Sequence, residues 1–146
     1  KSAPMSVESA ASLTQTAASF NFQNGTTQGF STSGLWHLAN NTCRANLGGH
    51  STPYTLYYGS DSTCNFNFGT NAGDAISPNI SLAGLTAPYT LNFNYLYQGE
   101  GSSFYDSPEV YVSTNGGASW TLILSNSNFI QDNNWHNTGS INISPY

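Results

Sequence analysis

Charged side chains are scarce in this sequence. Only 6% of its 146 residues are Asp, Glu, Lys or Arg, whereas an average soluble domain has roughly 25%. The surface must therefore be wetted by Asn, Ser, Thr and Gly. Because exposed helices usually take their solubility from Lys, Glu and Arg, this composition favours β-strands and loops over helices.

Positive charge and long apolar runs are missing as well. Lys1 and Arg44 are the two basic residues against seven acidic ones, so the formal net charge is −5. Nucleic-acid binding and attachment to acidic membranes both need clustered Lys or Arg, and the sequence excludes them as functions. No run approaches the roughly 18–20 apolar residues of a transmembrane helix, so we expect a protein that does not span a membrane.

Cysteine occurs twice, at Cys43 and Cys64. Both lie in polar segments on either side of the turn-rich residues 59–62, so we predict a disulfide and, with it, a secreted, extracellular or cell-surface location. Closing a loop of about 20 residues should stabilise the fold by about 3 kcal/mol. Two free thiols in a cytosolic protein are the alternative. Zinc is disfavoured because the sequence has no CxxC or HxxxH spacing.

Short apolar runs separated by turn residues dominate the chain after residue 19. They predict about nine strands and an all-β, antiparallel β-sandwich over residues 20–146. Residues 1–19 carry only Met5, Val7 and Leu13 as sizeable apolar groups, so we interpret them as a flexible linker or a strand-donating arm. The predicted ordered runs lie at residues 20–22, 30–39, 54–58, 63–68, 80–82, 88–98, 109–113, 120–124 and 135–144.

The clearest local signal is a hairpin whose turn spans residues 113–120, Ser-Thr-Asn-Gly-Gly-Ala-Ser-Trp. Asn115, Gly116 and Gly117 are residue types that adopt positive φ at low cost, as tight turns require. Alternation along the flanking strands separates an apolar from a polar face. Alternation across the chain assigns six large side chains to the core: Phe66, Phe68, Leu91, Phe93, Trp120 and Leu122.

A series of short motifs follows in order along residues 20–146: FNFQNG at 20–25, SGLWHL at 33–38, CRA at 43–45, YYG at 57–59, CNFNFG at 64–69, LNFNY at 91–95, EGSSFYD at 100–106 and VYVSTNGGASW at 110–120. This series resembles a jelly-roll accessory module of secreted bacterial proteins. Such modules accompany peptidases or adhesins and are related in shape to animal MAM domains. The resemblance implies a jelly-roll-like sandwich.

The hairpin turn is also similar to the Asp-box, S-x-D-x-G-x-T-W, with Asn115 in place of the aspartate and Ser119 in place of the threonine. The likeness implies a structural role, in which the Asn115 side chain ties down the turn and Trp120 packs beneath it. It implies no sialidase activity.

The resemblance further implies an incomplete sandwich. The family continues past the position of residues 143–146 with two more strands, and it has an acid where this chain has Gln23. A jelly roll without its last strands exposes an apolar groove with unpaired backbone edges. We therefore expect that the chain has been trimmed or that another segment fills the gap. One filler is the arm of residues 1–19 from a neighbouring copy, paired by strand addition.

Asp106, with Glu100 and Glu109 nearby, is the best metal candidate. Calcium takes six to eight oxygens from carboxylates and carbonyls, and a Gly/Ser loop lets carbonyls turn inward. In MAM-like modules an acid near this position contributes to a calcium site, which the resemblance implies for Asp106. The alternatives are solvated loop acids or an Asp106 that caps backbone amides. Three further aspartates are predicted to be turn residues: Asp61, Asp74 and Asp132.

Four tyrosines are predicted on the polar face or in loops, where rings could stack on sugars while nearby amides bind hydroxyls. Tyrosine is also a good strand residue on a half-wet face, which is the alternative. These candidate ligand-binding residues are Tyr54, Tyr58, Tyr105 and Tyr111.

No catalytic constellation is visible. Spacing along the loop at residues 100–109 fixes no separation suited to a glycosidase acid and base. His37, His50 and His136 have no accompanying nucleophile motif such as G-x-S-x-G. We therefore predict a protein that is not an enzyme. The sequence favours a non-catalytic extracellular adhesion or recognition module, stabilised by calcium and binding glycan or a cell-surface protein. The alternative is a structural subunit of a fibre or filament, completed by strand exchange between identical subunits.

Overall fold

The computed structural model describes residues 15–99 and 105–146, which form short strands joined by turns. A 3-10 turn at Asn126–Asn128 is the single helical element in these ranges, so the prediction of an all-β chain is confirmed. The ten strands are β1 (Ser31–Thr32), β2 (Trp36–Asn40), β3 (Tyr54–Tyr58), β4 (Ala75–Ile76), β5 (Thr90–Leu91), β6 (Asn94–Tyr95), β7 (Val110–Val112), β8 (Thr121–Leu124), β9 (His136–Asn137) and β10 (Ile141–Asn142).

The strands pair antiparallel in five separate two-stranded sheets: β1 with β4, β2 with β3, β5 with β10, β6 with β9 and β7 with β8. The sheets do not join into a closed structure within the described ranges. Each named strand therefore has one named strand partner and one further edge. In these ranges no helix is long and apolar enough to cross a membrane.

The strands predicted at residues 88–98 and 135–144 pair with each other, but in two pieces. Leu91 lies opposite Ile141, whereas Asn94 lies opposite Asn137, so the register changes between the two pieces. The change occurs at Thr138. Its amide donates to the Phe93 carbonyl at 3.0 Å, and its hydroxyl accepts from the Phe93 amide at 3.1 Å. A hydroxyl thus replaces a ladder hydrogen bond, which divides each predicted strand.

The longest paired strands are β2 and β3, which run in register from Trp36 opposite Tyr58 to Asn40 opposite Tyr54. Beside them lies the predicted disulfide, which joins Cys43 to Cys64. We call residues 35–66 the disulfide region. It contains the two fully buried hydrophobic residues of the described ranges, Ala39 and Ala45. The ring of Tyr58 contacts those of Trp36 and Phe66, at centroid distances of 5.5 and 6.1 Å.

The strand predicted at residues 63–68 is wrong, because the disulfide region ends in a turn. The amide of Ser60 donates to the Asn65 carbonyl at 2.9 Å, and that of Cys64 donates to the Ser60 carbonyl at 2.8 Å. Cys64 has φ +52°, which a strand does not permit. Phe68 consequently lies at the surface with 55% of its area exposed, so its core assignment is wrong, while Phe66 is half-buried.

The β7–β8 hairpin and the predicted faces of β7 are confirmed, but the predicted faces of β8 are wrong. A bulge lies between the pairs Val110–Leu124 and Tyr111–Leu122. Directly paired residues share one face of a sheet, so the bulge places Leu122 on the outer face with Tyr111. Leu122 is 44% exposed and Trp120 is 45% exposed. Both were predicted in the core, as were Leu91 and Phe93, which are half-buried.

The strand predicted at residues 80–82 is also wrong. The strand in this part of the chain is β4, which pairs Ala75 with Thr32 and Ile76 with Ser31. Pro78 follows, and because proline has no N–H it cannot continue a ladder. Residues 77–82 are assigned to no strand. The predicted boundary between residues 19 and 20 stays a prediction, since residues 1–14 lie outside the described ranges.

Candidate functional site

An apolar groove of about 640 Å³ runs along the surface beside the hairpin. Residues 76–82 form one wall, and the β7–β8 hairpin forms another. The end of the β5–β10 pair and Tyr146 complete the lining. We call these parts, residues 76–82, 110–124 and 141–146, the groove region. No charged side chain lines the groove, and its large apolar and aromatic members are Ile76, Ile80, Leu82, Leu91, Tyr111, Val112, Trp120, Ile123, Ile143 and Tyr146.

The groove differs from an ordinary surface depression in how much apolar area it leaves in water. Ile80, Trp120 and Tyr146 are 44%, 45% and 47% exposed. Three further large side chains of the lining are also exposed: Ile76, Leu82 and Tyr111. Contiguous exposed apolar surface of this kind is typical of interaction sites.

One wall of the groove has a free backbone edge. Ile76, Ile80 and Leu82 line the groove together with Ser77, Pro78 and Asn79. In the described part of the chain, residues 77–81 make no backbone ladder, and the Leu82 carbonyl accepts only a turn hydrogen bond from the Leu85 amide at 3.1 Å. Among the described residues, the segment therefore combines large apolar side chains with backbone donors and acceptors that no ladder uses.

The turn of the hairpin contributes to the second wall of the groove and is fixed by side-chain hydrogen bonds. The Asn115 side-chain oxygen accepts from the Ser119 amide at 2.9 Å, and its nitrogen donates to the Ser119 hydroxyl at 2.8 Å. The Ser113 hydroxyl accepts from the Gly117 amide at 2.8 Å. The side chain of Asn115 thus fixes the turn as the Asp-box likeness implies. A Cβ on Gly117 would lie 3.4 Å from the Trp120 ring, so this ring packs against the turn.

A smaller, polar pocket of about 380 Å³ lies next to the groove, and Tyr111 lines both. The Tyr111 hydroxyl donates to Glu109 at 2.5 Å, and the Ser107 hydroxyl donates to the other carboxylate oxygen at 3.4 Å. The hydrogen bond to Glu109 raises the pKa of Tyr111, with smaller contributions from burial and from the charges of Glu109 and Asp74. The phenol therefore stays a neutral donor at neutral pH. Ser33, Ala72 and Gly73 complete the lining.

Two of the three predicted metal ligands, Asp106 and Glu109, fall among the described residues. Glu100 lies outside the described ranges. Asp106 is half-buried beside Gly99, where a Cβ would lie 3.0 Å from its carboxylate, while Glu109 lines the polar pocket with Asp74. Within residues 15–99 and 105–146, no three His, Cys, Asp or Glu side chains gather into a metal-binding group. Calcium binding stays a prediction.

The four predicted ligand tyrosines have different surroundings. Tyr54 is half-buried, and its ring lies 3.3 Å from where Gly25 would carry a Cβ. The Tyr58 hydroxyl donates to the Asn71 side chain at 2.5 Å. Tyr105 is exposed. Of the four, Tyr111 is the one that lines the groove and the pocket.

The histidines make structural contacts. Nδ1 of His37 lies 2.9 Å from the Leu35 carbonyl, and Nε2 lies 3.2 Å from an Asp61 oxygen. Burial lowers the pKa of His37, but these two partners outweigh it and raise the pKa above 6.5. His50 packs on Trp135 at 3.9 Å between ring centroids, and burial lowers its pKa.

The third histidine, His136, lies 2.9 Å from Asp132. The hydrogen bond from the Asn134 amide lowers the pKa of the Asp132 carboxyl, and the hydrogen bond with His136 lowers it further, by a smaller amount. Asp61 and Asp132, both predicted to be turn residues, therefore also orient histidines.

Comparison of the chain with protein-family models, with curated proteins and with solved structures returns no match. None of these comparisons links the chain to the MAM-like modules, so that resemblance stays a prediction. The function must be argued from the groove and the pocket.

Sequence reasoning missed two features of these sites. Asp74 was predicted as a turn residue, yet it faces the pocket with Glu109 and Tyr111. Residues 80–82 were expected to form a strand, yet residues 77–82 pair with no strand in the described part of the chain. Pro78 was the available signal, because a proline excludes a central strand.

Proposed function

We propose that this chain is a non-catalytic structural subunit of an extracellular fibre or filament, and that a β-strand from another copy completes its fold. The observation that carries the proposal is the groove, in which an uncharged apolar lining meets the free backbone edge of residues 77–82. A strand added there would gain main-chain hydrogen bonds and cover the exposed apolar side chains.

The shortage of buried side chains supports the same proposal. Ala39 and Ala45 are the two fully buried hydrophobic residues among those described, and no large side chain there is fully buried. Stable domains rely on burying Ile, Leu, Val and Phe. A chain that leaves Ile80 and Trp120 in water gains more from association than one whose core is already complete.

In this proposal the five strand pairs belong to a jelly-roll-like sandwich, and the added strand covers the groove. The resemblance to secreted jelly-roll modules supports this arrangement. The disulfide supports an extracellular location, because such bonds persist in oxidising compartments.

The experiment is to measure the mass of the wild-type protein by light scattering over a range of concentrations, together with the Ile80→Lys variant. We expect the wild type to form large species, visible as filaments by electron microscopy, and the variant to remain a single chain because a charge would be buried in the interface. Ile130→Lys is the matched control, since Ile130 is 54% exposed and does not line the groove. A wild-type protein that stays a single chain at all concentrations would refute the proposal.

A second candidate function is glycan recognition at a cell surface, and the polar pocket favours it. Tyr111 offers a ring face, and the carboxylates of Glu109 and Asp74 can accept hydrogen bonds from sugar hydroxyls. A glycan array should then give signals that Tyr111→Ala removes and that Tyr111→Phe, which keeps the ring, largely retains. An array without signal for the wild-type protein would eliminate this candidate.

A further inference from the structure

We propose that residues 3–9 of one copy dock as a β-strand in the groove of a second copy, along the free edge of residues 77–82. This inference rests on the proposed function and names the segment that fills the groove. The donor segment lies outside the described ranges, so the inference is argued from its sequence and from the structure of the acceptor.

The donor segment has the pattern that the groove requires. Its sequence is Ala-Pro-Met-Ser-Val-Glu-Ser, in which Ala3, Met5 and Val7 alternate with polar residues or proline. In a strand these three side chains share one face. The alternation is interrupted after Glu8, because the polar Ser9 takes an apolar position and Ala10 and Ala11 are adjacent.

The absence of charge on one face of residues 3–9 matches the uncharged lining of the groove. The groove lining contains no charged side chain, and burying an unpaired charge there would be costly. The apolar face of residues 3–9 carries no charge, because Glu8 falls on the opposite face with Pro4 and Ser6. The donor can therefore enter with its acid left in water.

The length of the donor segment and the position of its proline are also compatible with pairing along this edge. Residues 3–9 are seven residues long and the acceptor edge at residues 77–82 is six, so a donor extended at roughly 3.3 Å per residue is long enough to cover the edge. Met5 and Val7 would then pack against Ile80, Leu82 and Trp120, which line the groove. Pro4 can be accommodated if its nitrogen points away from the acceptor edge.

The test uses two full-length variants with complementary defects. Val7→Glu spoils the donor and leaves the groove intact, whereas Ile80→Lys spoils the groove and leaves the donor intact. We expect each variant alone to be a single chain by light scattering. Mixed in equal amounts, they should form a one-to-one heterodimer, because the intact donor of the Ile80→Lys copy enters the intact groove of the Val7→Glu copy.

Matched substitutions outside the contact serve as controls. Leu13→Glu lies beyond the donor segment, and Ile130→Lys lies outside the groove, so both should assemble as the wild type does. Leu82→Lys repeats the groove test at a second position. A circular dichroism spectrum like that of the wild type shows that each variant is folded.

Each other result has a distinct meaning. If Ile80→Lys abolishes assembly and Val7→Glu does not, the groove is used but another segment fills it, so this inference fails and the proposed function stands. If both groove variants assemble normally, the groove is not the interface and both fail. If the variants stay separate when mixed, or if the wild type itself is a single chain, donation to a second copy is refuted.

Discussion

The disulfide region and the groove region contain the same kinds of residue but differ in how far they are closed. In the first, Trp36 is half-buried, its ring contacts that of Tyr58, and its indole nitrogen donates to the Gly73 carbonyl at 3.1 Å. In the second, Trp120 is 45% exposed and contacts the turn of its own hairpin. Closure therefore depends on long-range partners and not on the residue type.

The two regions differ in what holds them together. A covalent bond and a five-residue ladder close the disulfide region within one molecule. The groove region has a hairpin and, among the described residues, an unpaired segment at residues 77–82, and in our proposal a strand from another copy closes it. Substitutions should consequently reduce the stability of a single chain in the first region and its association in the second.

The largest effect on a single chain is expected at a close backbone approach near the disulfide region. A Cβ on Gly34 would overlap the Ala72 carbonyl oxygen, and φ at Gly34 is +60°. Gly34→Ala should therefore cost about 3 kcal/mol, from overpacking plus the left-handed conformation. Gly116→Ala in the hairpin turn, where φ is +70° but nothing lies within 4 Å, should cost about 1 kcal/mol. Urea unfolding measures both, and equal losses would contradict the comparison.

Loss of the disulfide should come next. The bond spans a sequence separation of 21 residues, so Cys43→Ser with Cys64→Ser should lower the free energy of unfolding by about 3 kcal/mol. Thermal unfolding of the double variant measures this loss. Assembly should persist in the variant at temperatures where it stays folded, because the groove lies elsewhere. An undiminished melting temperature would show that the disulfide region is closed by packing alone.

The two tryptophans give a smaller and more direct contrast. Trp36→Ala removes a half-buried ring and a hydrogen bond, and should cost about 2 kcal/mol in a single chain. Trp120→Ala should cost less than about 1 kcal/mol, because much of its ring is already in water. The Trp120→Ala protein should instead assemble more weakly. Unfolding in dilute solution measures the loss of unfolding free energy for both variants. A larger loss for Trp120→Ala than for Trp36→Ala would reverse the assignment of the two regions.

The smallest expected effect concerns pH. Since the folded pKa of His37 is above 6.5, the stabilisation by Asp61 is complete below about pH 6.5 and is lost as the pH rises through the folded pKa. Asp61→Asn should therefore cost a few tenths of a kcal/mol at about pH 5.5 and less at about pH 9, because the pair is largely exposed. In a His37→Gln background the pH-dependent difference should vanish. A difference that grows with pH would contradict this assignment.

Sequence reasoning succeeded where the signal was local. The run of strand-favouring residues at 54–58 and the turn residues Asn115 and Gly116 define β3 and the hairpin from within a few positions. The cysteine pair was predictable from two residues in polar, turn-rich surroundings, and the structure contains that bond.

The errors arise where distant parts of the chain decide the local structure. The bulge that turns Leu122 outward depends on the register against β7. The division of the strand at residues 88–98 depends on the Thr138 hydroxyl from the far end of the ladder. The left-handed conformation of Cys64 accompanies a bond to a residue 21 positions away. Alternation within one segment contains none of this information.

The candidate site was only partly predictable for the same reason. Tyr111 and Glu109 were identified as site residues from their types and positions, and both line the polar pocket. The groove walls come from four separate stretches of chain. The most informative stretch, residues 77–82, contains Ile80 and Leu82 in a pattern typical of a strand but has no strand partner among the described residues.

The central claim is that residues 77–82 are an edge that pairs only on association. Amide hydrogen exchange of the wild-type protein, measured in dilute solution and after assembly, tests it most directly. We predict that the amides of residues 79–82 exchange rapidly in dilute solution and slow by at least about tenfold on assembly, while those of β2 and β3 are protected in both states. Equal exchange rates for residues 79–82 in the two states would contradict the claim.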